Sequence, residues 1–300
     1  MEFPFKISGD KVRVIDVGAR LVPEGPHYKN LIASKACSVT LVEPDVTASV
    51  LDVASAVEAV HNVALGDGSV GNMNFCKLPS CSSMLLPNRE CLECYSGMEY
   101  FYRVEKKISI QTYKMDDLFP EANFDYMDLD VQGYELEVLK FAGRNLNGLL
   151  GVHVEVSFVE KYKGQPLFRD VDVYLASRNF TFHCFTGYGT RSPRKILTDG
   201  SSVNGLNQWL WADAFYFHRL DDGEFWRHKN RLIKLACIFH CVYGSYDFAA
   251  HALRLHDGCV GSLFLDKYIA CLREAGISVE SGDDGDESYW ESVVRRLSIV

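Results

Sequence analysis

The sequence has no long apolar run and no basic run. No stretch supplies the roughly 20 consecutive apolar residues of a membrane-spanning helix, and MEFPFKISGDKVRV at the start has no apolar segment long enough for a signal peptide. We therefore expect no membrane anchor and a cytoplasmic location. The net charge is −9, so a general nucleic-acid binder, which must neutralise phosphates, is not expected. Small molecules or glycans are the expected partners.

The sequence also lacks the export signal that usually accompanies a disulfide framework. Its ten cysteines belong to a chain long enough to bury a full core, so reduced thiols are expected. Cys76, Cys81, Cys91 and Cys94 fall within one short stretch, and the last two have the two-residue gap common in zinc sites. The gap between the first two is unusual for such a site. Free thiols are the prediction, and a zinc site is the alternative.

Short apolar, β-branched runs recur through the first 220 residues. Helix-like segments lie between several of them, around residues 28–36 and 134–142. This alternation predicts an α/β fold with a doubly wound, mostly parallel sheet and helices on both faces. The expected strands are residues 12–17, 38–43, 61–65, 124–131 and 149–156, followed by residues 180–185 and 210–218 as a possible antiparallel end.

After residue 220 the apolar residues take helical spacing, as in Leu232, Leu235 and Phe239. We expect residues 1–220 to form the main domain and residues 221–300 a separate C-terminal helical extension. Residues 278–288 are acidic and rich in Gly and Ser, which indicates a solvated linker. Residues 82–102 have few helix or strand signals and are predicted to form a loop beside the site.

A parallel α/β sheet binds its ligand beyond the carboxyl ends of its strands, where the strand order reverses. In DVGAR, Asp16 could accept hydrogen bonds, and Gly18 either lets a ligand approach the backbone or makes a tight turn. In LVEPD, Pro44 ends the strand and Glu43 could take both ribose hydroxyls of a nucleoside. Asp67 in ALGDGS could reach an adenine amino group or form an ordinary Asp-Gly turn.

The three-glycine turn G-x-G-x-x-G, which admits a dinucleotide pyrophosphate, is missing from DVGARLVPEG. The expected cofactor is therefore a nucleoside without pyrophosphate, and a nicotinamide dehydrogenase is disfavoured. Two later strands carry paired polar residues that face one side, Asp128 with Asp130 and His153 with Glu155. Clustered carboxylates are costly to bury without a purpose.

These segments resemble, in their order along the chain, the FkbM family of methyltransferases. The segments that carry the resemblance are VIDVGAR, LVEPD, VALGDGSVG, SCSSMLLPN, IQTYKMDDL, FDYMDLDVQGYELEVLKFAG and VHVEVSFVEKYKGQPLF. LWADAFYFHR is similar to the closing strand of the family. Each motif alone is weak, but so many in one order are specific.

The resemblance implies a class I methyltransferase fold that uses S-adenosyl-L-methionine. The positions it implies for the cofactor are Asp16, Gly18, Ala19, Glu43, Pro44 and Asp67. It also implies O-methylation of a hydroxyl on a sugar, glycan or natural product. The residues predicted to contact that acceptor are Ser82, Ser83 and Glu135.

The chain departs from the family pattern at two places. Arg20 and Leu21 stand where an Asn and often a second small residue are typical, and Asp128 stands where Lys is common. No metal is expected, because Asp128 and Asp130 have no obvious third oxygen ligand. The alternative to an enzyme is a catalytically silent nucleoside-binding protein on the same fold.

Methyl transfer to a hydroxyl requires a group that removes its proton, a role for a positioned carboxylate or His. Asp130, at the end of its strand, is the first candidate for this general base. Glu155 and His153 are the alternatives, and structural hydrogen bonding is the competing interpretation of both.

Overall fold

The computed structural model describes residues 2–5, 11–19, 25–44, 55–121, 124–280 and residue 282. Arg20, Leu21 and most of the predicted linker at residues 278–288 lie outside the described residues. The strands are β1 Val12–Val17, β2 Cys37–Val42, β3 Val57–His61, β4 Ala64–Leu65, β5 Val70–Cys76, β6 Val104–Tyr113, β7 Tyr126–Leu129, β8 Gly151–Ser157, β9 Phe180–Thr190 and β10 Trp209–His218. The α-helices are α1 Lys29–Ala33, α2 Arg89–Leu92, α3 Met98–Phe101, α4 Met115–Leu118, α5 Glu135–Lys140, α6 Gly143–Leu146, α7 Phe168–Ala176, α8 Asn230–Ile238, α9 Tyr246–Val260 and α10 Phe264–Glu274.

The main sheet, as far as the described residues show it, has seven strands in the order β3-β2-β1-β7-β8-β10-β9. The five strands from β3 to β8 pair in parallel. Strand β10 runs antiparallel to both β8 and β9. The predicted α/β fold is therefore confirmed as a mixed sheet with helices, including the antiparallel end. From β1 the sheet grows toward β2 on one side and toward β7 on the other.

The two faces of the main sheet are covered by two different hydrophobic clusters, because side chains alternate along each strand. Val12 and Val14 belong to the cluster that contains α8, α9 and α10. Ile15 and Val17 belong to the cluster that contains α5, α6 and α7. Burial on both faces explains why these strands have continuous apolar runs in the sequence.

The helices after residue 220 pack directly onto the main sheet. Leu232 and Phe239 are fully buried in the same cluster as Val12. A π-helical turn, Phe239–Tyr243, connects α8 to α9, and the ring of Tyr243 stacks on Phe215 of β10 with centroids 3.7 Å apart. The described helices thus share a core with the sheet, and the domain boundary at residue 220 stays a prediction.

The sequence pattern does not predict a second, three-stranded sheet of order β4-β6-β5. Its longer strands consist mostly of exposed and half-buried residues and have no apolar run. The strand expected at residues 61–65 is wrong in its bounds, since β3 ends at His61 and β4 is a separate pair of residues. The loop expected at residues 82–102 contains α2 and α3, and Leu92 and Met98 are buried there in a third cluster.

All ten cysteines carry free thiols in this structure. No helix that the structure describes has the length and apolar character needed to cross a membrane.

Candidate active site

A cleft opens at the carboxyl ends of β1, β2 and β7, where the strand order reverses. Its empty volume, which includes the part open to solvent, is about 1140 Å³. The predicted site residues that line it are Asp16, Gly18, Glu43, Pro44, Ser82, Asp130, His153 and Glu155. Those that do not line it are Ala19, Asp67, Ser83 and Glu135. The structure thus brings together most residues of the cofactor and base hypotheses, and one of the three predicted acceptor contacts.

Gly18 joins the loops that follow β1 and β7. It has a φ of +86°, and a Cβ there would lie 1.8 Å from the main-chain oxygen of Asp130. The main-chain N–H of Asp130 in turn donates to the carbonyl of Val17 at 3.0 Å. A glycine is therefore required by contact between the two loops, which is closer to the tight-turn interpretation of Gly18 than to ligand approach.

Asp16 and Asp128 are directly paired in register on β1 and β7. The hydroxyl of Tyr28 donates to Asp16 Oδ2 at 2.6 Å, yet burial and the nearby Glu43 raise the pKa of Asp16 to about 6. Burial, followed by repulsion from Asp16, holds the pKa of Asp128 well above its usual range. This wall of the cleft therefore has a high density of carboxyl groups that resist full ionisation.

Asp130 is exposed to the cleft at the end of β7. The enclosing walls desolvate it, and Glu155 adds repulsion, so its pKa is also well above the usual range. Its Oδ1 accepts a hydrogen bond from Gln132 Nε2 at 2.6 Å. Once ionised, a carboxylate with a raised pKa accepts a proton more strongly than an ordinary carboxylate does.

Glu135 and Ser83, both predicted to contact the acceptor, instead hold the loop after β7. Glu135 is buried, and its Oε1 accepts from the N–H groups of Val131 at 3.1 Å and Gly133 at 2.8 Å. The hydroxyl of Ser83 donates to the carbonyl of Gln132 at 2.7 Å. These bonds hold the backbone around Gln132 in place, and the side chain of Gln132 donates to Asp130.

Two of the remaining predicted residues, Asp67 outside the cleft and Ser82 inside it, have local hydrogen-bond partners. Asp67 Oδ1 accepts from the N–H of Ser69 at 2.8 Å and from its hydroxyl at 2.6 Å, and these bonds lower the pKa of Asp67. Asp67 thus makes an ordinary turn, and its contact with adenine stays a prediction. Ala19 is buried beside Gly18. Ser82 accepts a hydrogen bond from the N–H of Cys76 at 3.1 Å.

The two alternative bases have different environments. Glu155 accepts from the ammonium of Lys161 at 2.8 Å, and both side chains are buried. His153 is buried too, and its Nδ1 lies 3.1 Å from the hydroxyl of Tyr243. Burial, and then the nearby His27, lower the pKa of His153 well below its usual range, so the ring is neutral. Each residue therefore bonds to a partner of its own.

Among the acidic and histidine side chains that line the cleft, sequence reasoning missed two, His27 and Asp213. His27 precedes α1, and its ring centroid is 3.9 Å from that of His153. Asp213 is the one acid in the apolar strand β10, a signal that could have identified it. Its Oδ2 lies 4.0 Å from His27 Nε2.

The ligand atoms of His27, His153 and Asp213 lie within 4.8 Å of one another. Across the described ranges of the chain, these three residues form the only group of at least three His, Cys, Asp or Glu side chains close enough to hold one ion. The alternative of a zinc site at Cys76, Cys81, Cys91 and Cys94 therefore has no support in the described geometry.

Comparison with known proteins adds one finding. No curated protein and no solved structure matches the chain. Residues 16–182 match the family model of the methyltransferase FkbM domain. The matched range begins at Asp16 and ends within β9, so it contains the cleft residues from β1, β2, β7 and β8, whereas Asp213 lies beyond it. Because this match covers more than half of the 300 residues, the chain belongs to the FkbM methyltransferase family.

Proposed function

We propose that the chain is an S-adenosylmethionine-dependent methyltransferase of the class I, doubly wound fold that methylates a hydroxyl oxygen. The observation that carries this proposal is one cleft lined by Asp16 near the end of β1, Gly18 after β1, Glu43 after β2 and Asp130 after β7. A doubly wound sheet binds its ligand at the reversal of strand order, and here the reversal lies between β1 and β7.

The cofactor side of the cleft suits a nucleoside with a positive charge. Glu43 is 5% exposed at the end of β2 and lines the cleft, where its carboxylate can accept from ribose hydroxyls. The carboxyl groups of Asp16 and Asp128 lie beside it with raised pKa values. A cationic sulfonium would stabilise their ionised forms, whereas a pyrophosphate would repel them. When bound, S-adenosylmethionine supplies a methyl group on sulfur.

The acceptor side supplies the proton acceptor. In an in-line displacement the acceptor oxygen bonds to the methyl carbon while the carbon–sulfur bond breaks and its electron pair goes to sulfur. Asp130 takes the hydroxyl proton in this proposal, because its pKa is raised and it is exposed to the cleft. Glu155 forms a buried ion pair with Lys161. The lowered pKa of His153 makes its imidazole a weak base.

The proposed acceptor is a sugar, glycan or natural product encountered in the cytoplasm, with no nucleic acid or membrane involved. The alternative is a catalytically silent nucleoside-binding protein, which is suggested by the departures from the family pattern at Arg20 and Asp128.

Isothermal titration with S-adenosylmethionine and with NAD tests the cofactor. We expect binding of the first and none of the second, and the reverse would reject the proposal. A mass-spectrometric screen of glycans and small metabolites for the gain of one methyl group then separates the enzyme from the silent binding protein.

A further inference from the structure

We propose that His27, His153 and Asp213 bind one divalent transition-metal ion in the cleft, with coordination positions left open toward the methyl acceptor. The three side chains come from the segment before α1, from β8 and from β10, and all three line the cleft. Asp213 lies outside the range matched by the family model.

The strongest support is the unpartnered nitrogen of His153. The residue is 2% exposed, and among the described residues its Nε2 has no hydrogen-bond partner. Buried polar atoms without a partner are rare in folded proteins. This nitrogen is the atom that a bound ion would engage, since Nδ1 already lies 3.1 Å from the hydroxyl of Tyr243.

The other side of the His153 ring is arranged as in many metal sites. A ligating histidine usually donates its second N–H to an outer partner, which fixes the tautomer and the ring orientation. Tyr243 provides that partner, and its own hydroxyl lies 2.8 Å from the hydroxyl of Tyr126. The ring of Tyr243 is further held by stacking on Phe215 at 3.7 Å.

Metal binding would require the three side chains to move slightly closer together. Bonds of about 2.0–2.2 Å in a tetrahedral site place ligand atoms roughly 3.3 Å apart, whereas His27 Nε2 and Asp213 Oδ2 are 4.0 Å apart. All ligand atoms lie within 4.8 Å of one another. The side chain of His27 is 43% exposed, so rotation of this side chain supplies the movement.

The space for the Asp213 carboxylate depends on a glycine in the neighbouring strand. Gly187 of β9 pairs with Asp213, and a Cβ there would lie 2.8 Å from Asp213 Oδ2. The missing side chain at Gly187 leaves room for the carboxylate of Asp213 where its oxygen lies within 4.8 Å of the ligand atoms of His27 and His153.

The ligand set selects the class of ion. Two imidazoles and one carboxylate suit Zn²⁺, Co²⁺ or Fe²⁺, whereas Mg²⁺ and Ca²⁺ prefer oxygen ligands alone. The sequence-based expectation of no metal considered only Asp128 and Asp130, and neither belongs to this group.

The role of the ion rests on the proposed function. A hydroxyl bound at an open position loses its proton more readily because the ion lowers its pKa. The proton passes to the carboxylate of Asp130, the oxygen bonds to the methyl carbon, and the electron pair of the carbon–sulfur bond leaves with sulfur. The products are a methyl ether and S-adenosylhomocysteine.

Cobalt titration of the full chain tests the site, after removal of metals by chelation and dialysis. We expect one Co²⁺ per chain and a visible absorption band that shifts when azide, an anionic probe, takes an open position. His27→Ala and Asp213→Asn are each expected to weaken Co²⁺ binding by about 100-fold or more, since loss of an outer partner alone costs about 10–100-fold. Tyr243→Phe should weaken it about 10-fold as a positioning effect.

The exposed His228 provides the matched control, because the chain has nine histidines that could bind cobalt adventitiously. His228→Ala should bind Co²⁺ like the wild type. The proposal is overturned by wild-type protein that binds no stoichiometric Co²⁺, by His27→Ala with wild-type affinity, or by an absorption band unaffected by azide. Because His27 is exposed, its variant should fold, and circular dichroism checks this.

Titration with S-adenosylmethionine, run in parallel, separates this proposal from the proposed function. Cofactor binding without Co²⁺ binding overturns the metal site and leaves the methyltransferase proposal standing. Co²⁺ binding without cofactor binding supports the metal site and rejects the methyltransferase proposal.

Discussion

Gly18 packs against the main-chain carbonyl of Asp130, and a Cβ at Gly18 would lie 1.8 Å from that oxygen. This contact joins the loop assigned to the cofactor with the loop that carries the proposed base. The position of one ligand relative to the other therefore depends on Gly18, for which the sequence context DVGAR left both a tight turn and close approach of a ligand open.

Gly18→Ala should destabilise the fold through this contact. Gly164→Ala is the matched control, because Gly164 also has a positive φ, +72°, but nothing lies within 4 Å of the position of its Cβ. Both variants incur the cost of a left-handed backbone, about 1–2 kcal/mol, and Gly18→Ala incurs a further cost of about 1–3 kcal/mol for overpacking. Urea unfolding measures the difference, and equal losses in the two variants would contradict the proposed contact.

Glu43→Ala should weaken S-adenosylmethionine binding by roughly 2–4 kcal/mol, because two charge-assisted hydrogen bonds to the ribose are lost. Glu58→Ala removes the same charge from an exposed position on β3 and should leave binding unchanged. Calorimetric titration of both variants tests this expectation. Unchanged affinity in a folded Glu43→Ala protein would count directly against the nucleoside site.

Asp130→Asn should leave cofactor binding intact and lower the rate of methyl transfer by about 10²–10⁴, since the amide cannot take a proton. Single-turnover transfer measured beside cofactor titration tests this, with Asp117→Asn on the exposed side of α4 as control. The alternative is that Asp130 caps the following helix by accepting from a backbone N–H. The N–H groups of Val131 and Gly133, however, donate to Glu135 instead. A near-wild-type rate would move the base assignment to Glu155 or His153.

The sequence predicted the part of the site that lies at strand ends. Asp16, Glu43 and Asp130 each follow or end a buried run whose apolar residues mark the strand, so their convergence follows from the parallel pairing. The apolar runs can be recognised in the sequence because both faces of these strands are buried.

The sequence could not predict contacts made by segments without such a pattern. His27 lies before a five-residue helix with no periodic signal, and it meets His153 only through tertiary packing. Tyr243 lies in a π-helical turn far along the chain, and nothing in its spacing connects it with His153. The structural role of Glu135 depends on the exact backbone path after β7, which propensity alone does not determine.

Lys161→Met should destabilise the protein strongly, because it leaves the buried Glu155 without its ion-pair partner. Removal of one member of a buried pair costs about 3–5 kcal/mol. Lys140→Met is the control, since its pair with Glu137 is partly exposed and should contribute less than about 1 kcal/mol. Urea unfolding compares them, and the double variant with Glu155→Gln should recover part of the loss. Similar effects of the two lysine variants would contradict the buried pair.

Glu135→Gln should change how stability depends on pH. Burial and repulsion from Glu155 raise the pKa of Glu135 in the folded state from 4.5 to about 7. The folded protein then binds this proton more tightly than the unfolded chain, so the contribution of Glu135 to the free energy of unfolding is largest below pH 4.5 and falls as the pH rises to about 7.

Gln at position 135 stays neutral, and its carbonyl oxygen can still accept from the N–H groups of Val131 and Gly133. Relative to the wild type, the variant should therefore gain stability between about pH 5 and about pH 8, by at most about 3 kcal/mol. Urea unfolding of both proteins at the two pH values measures this gain, and the comparison cancels the titration of every other group that the substitution leaves unchanged. A difference between the two proteins that is the same at both pH values would show that Glu135 is ionised in the folded state across this range.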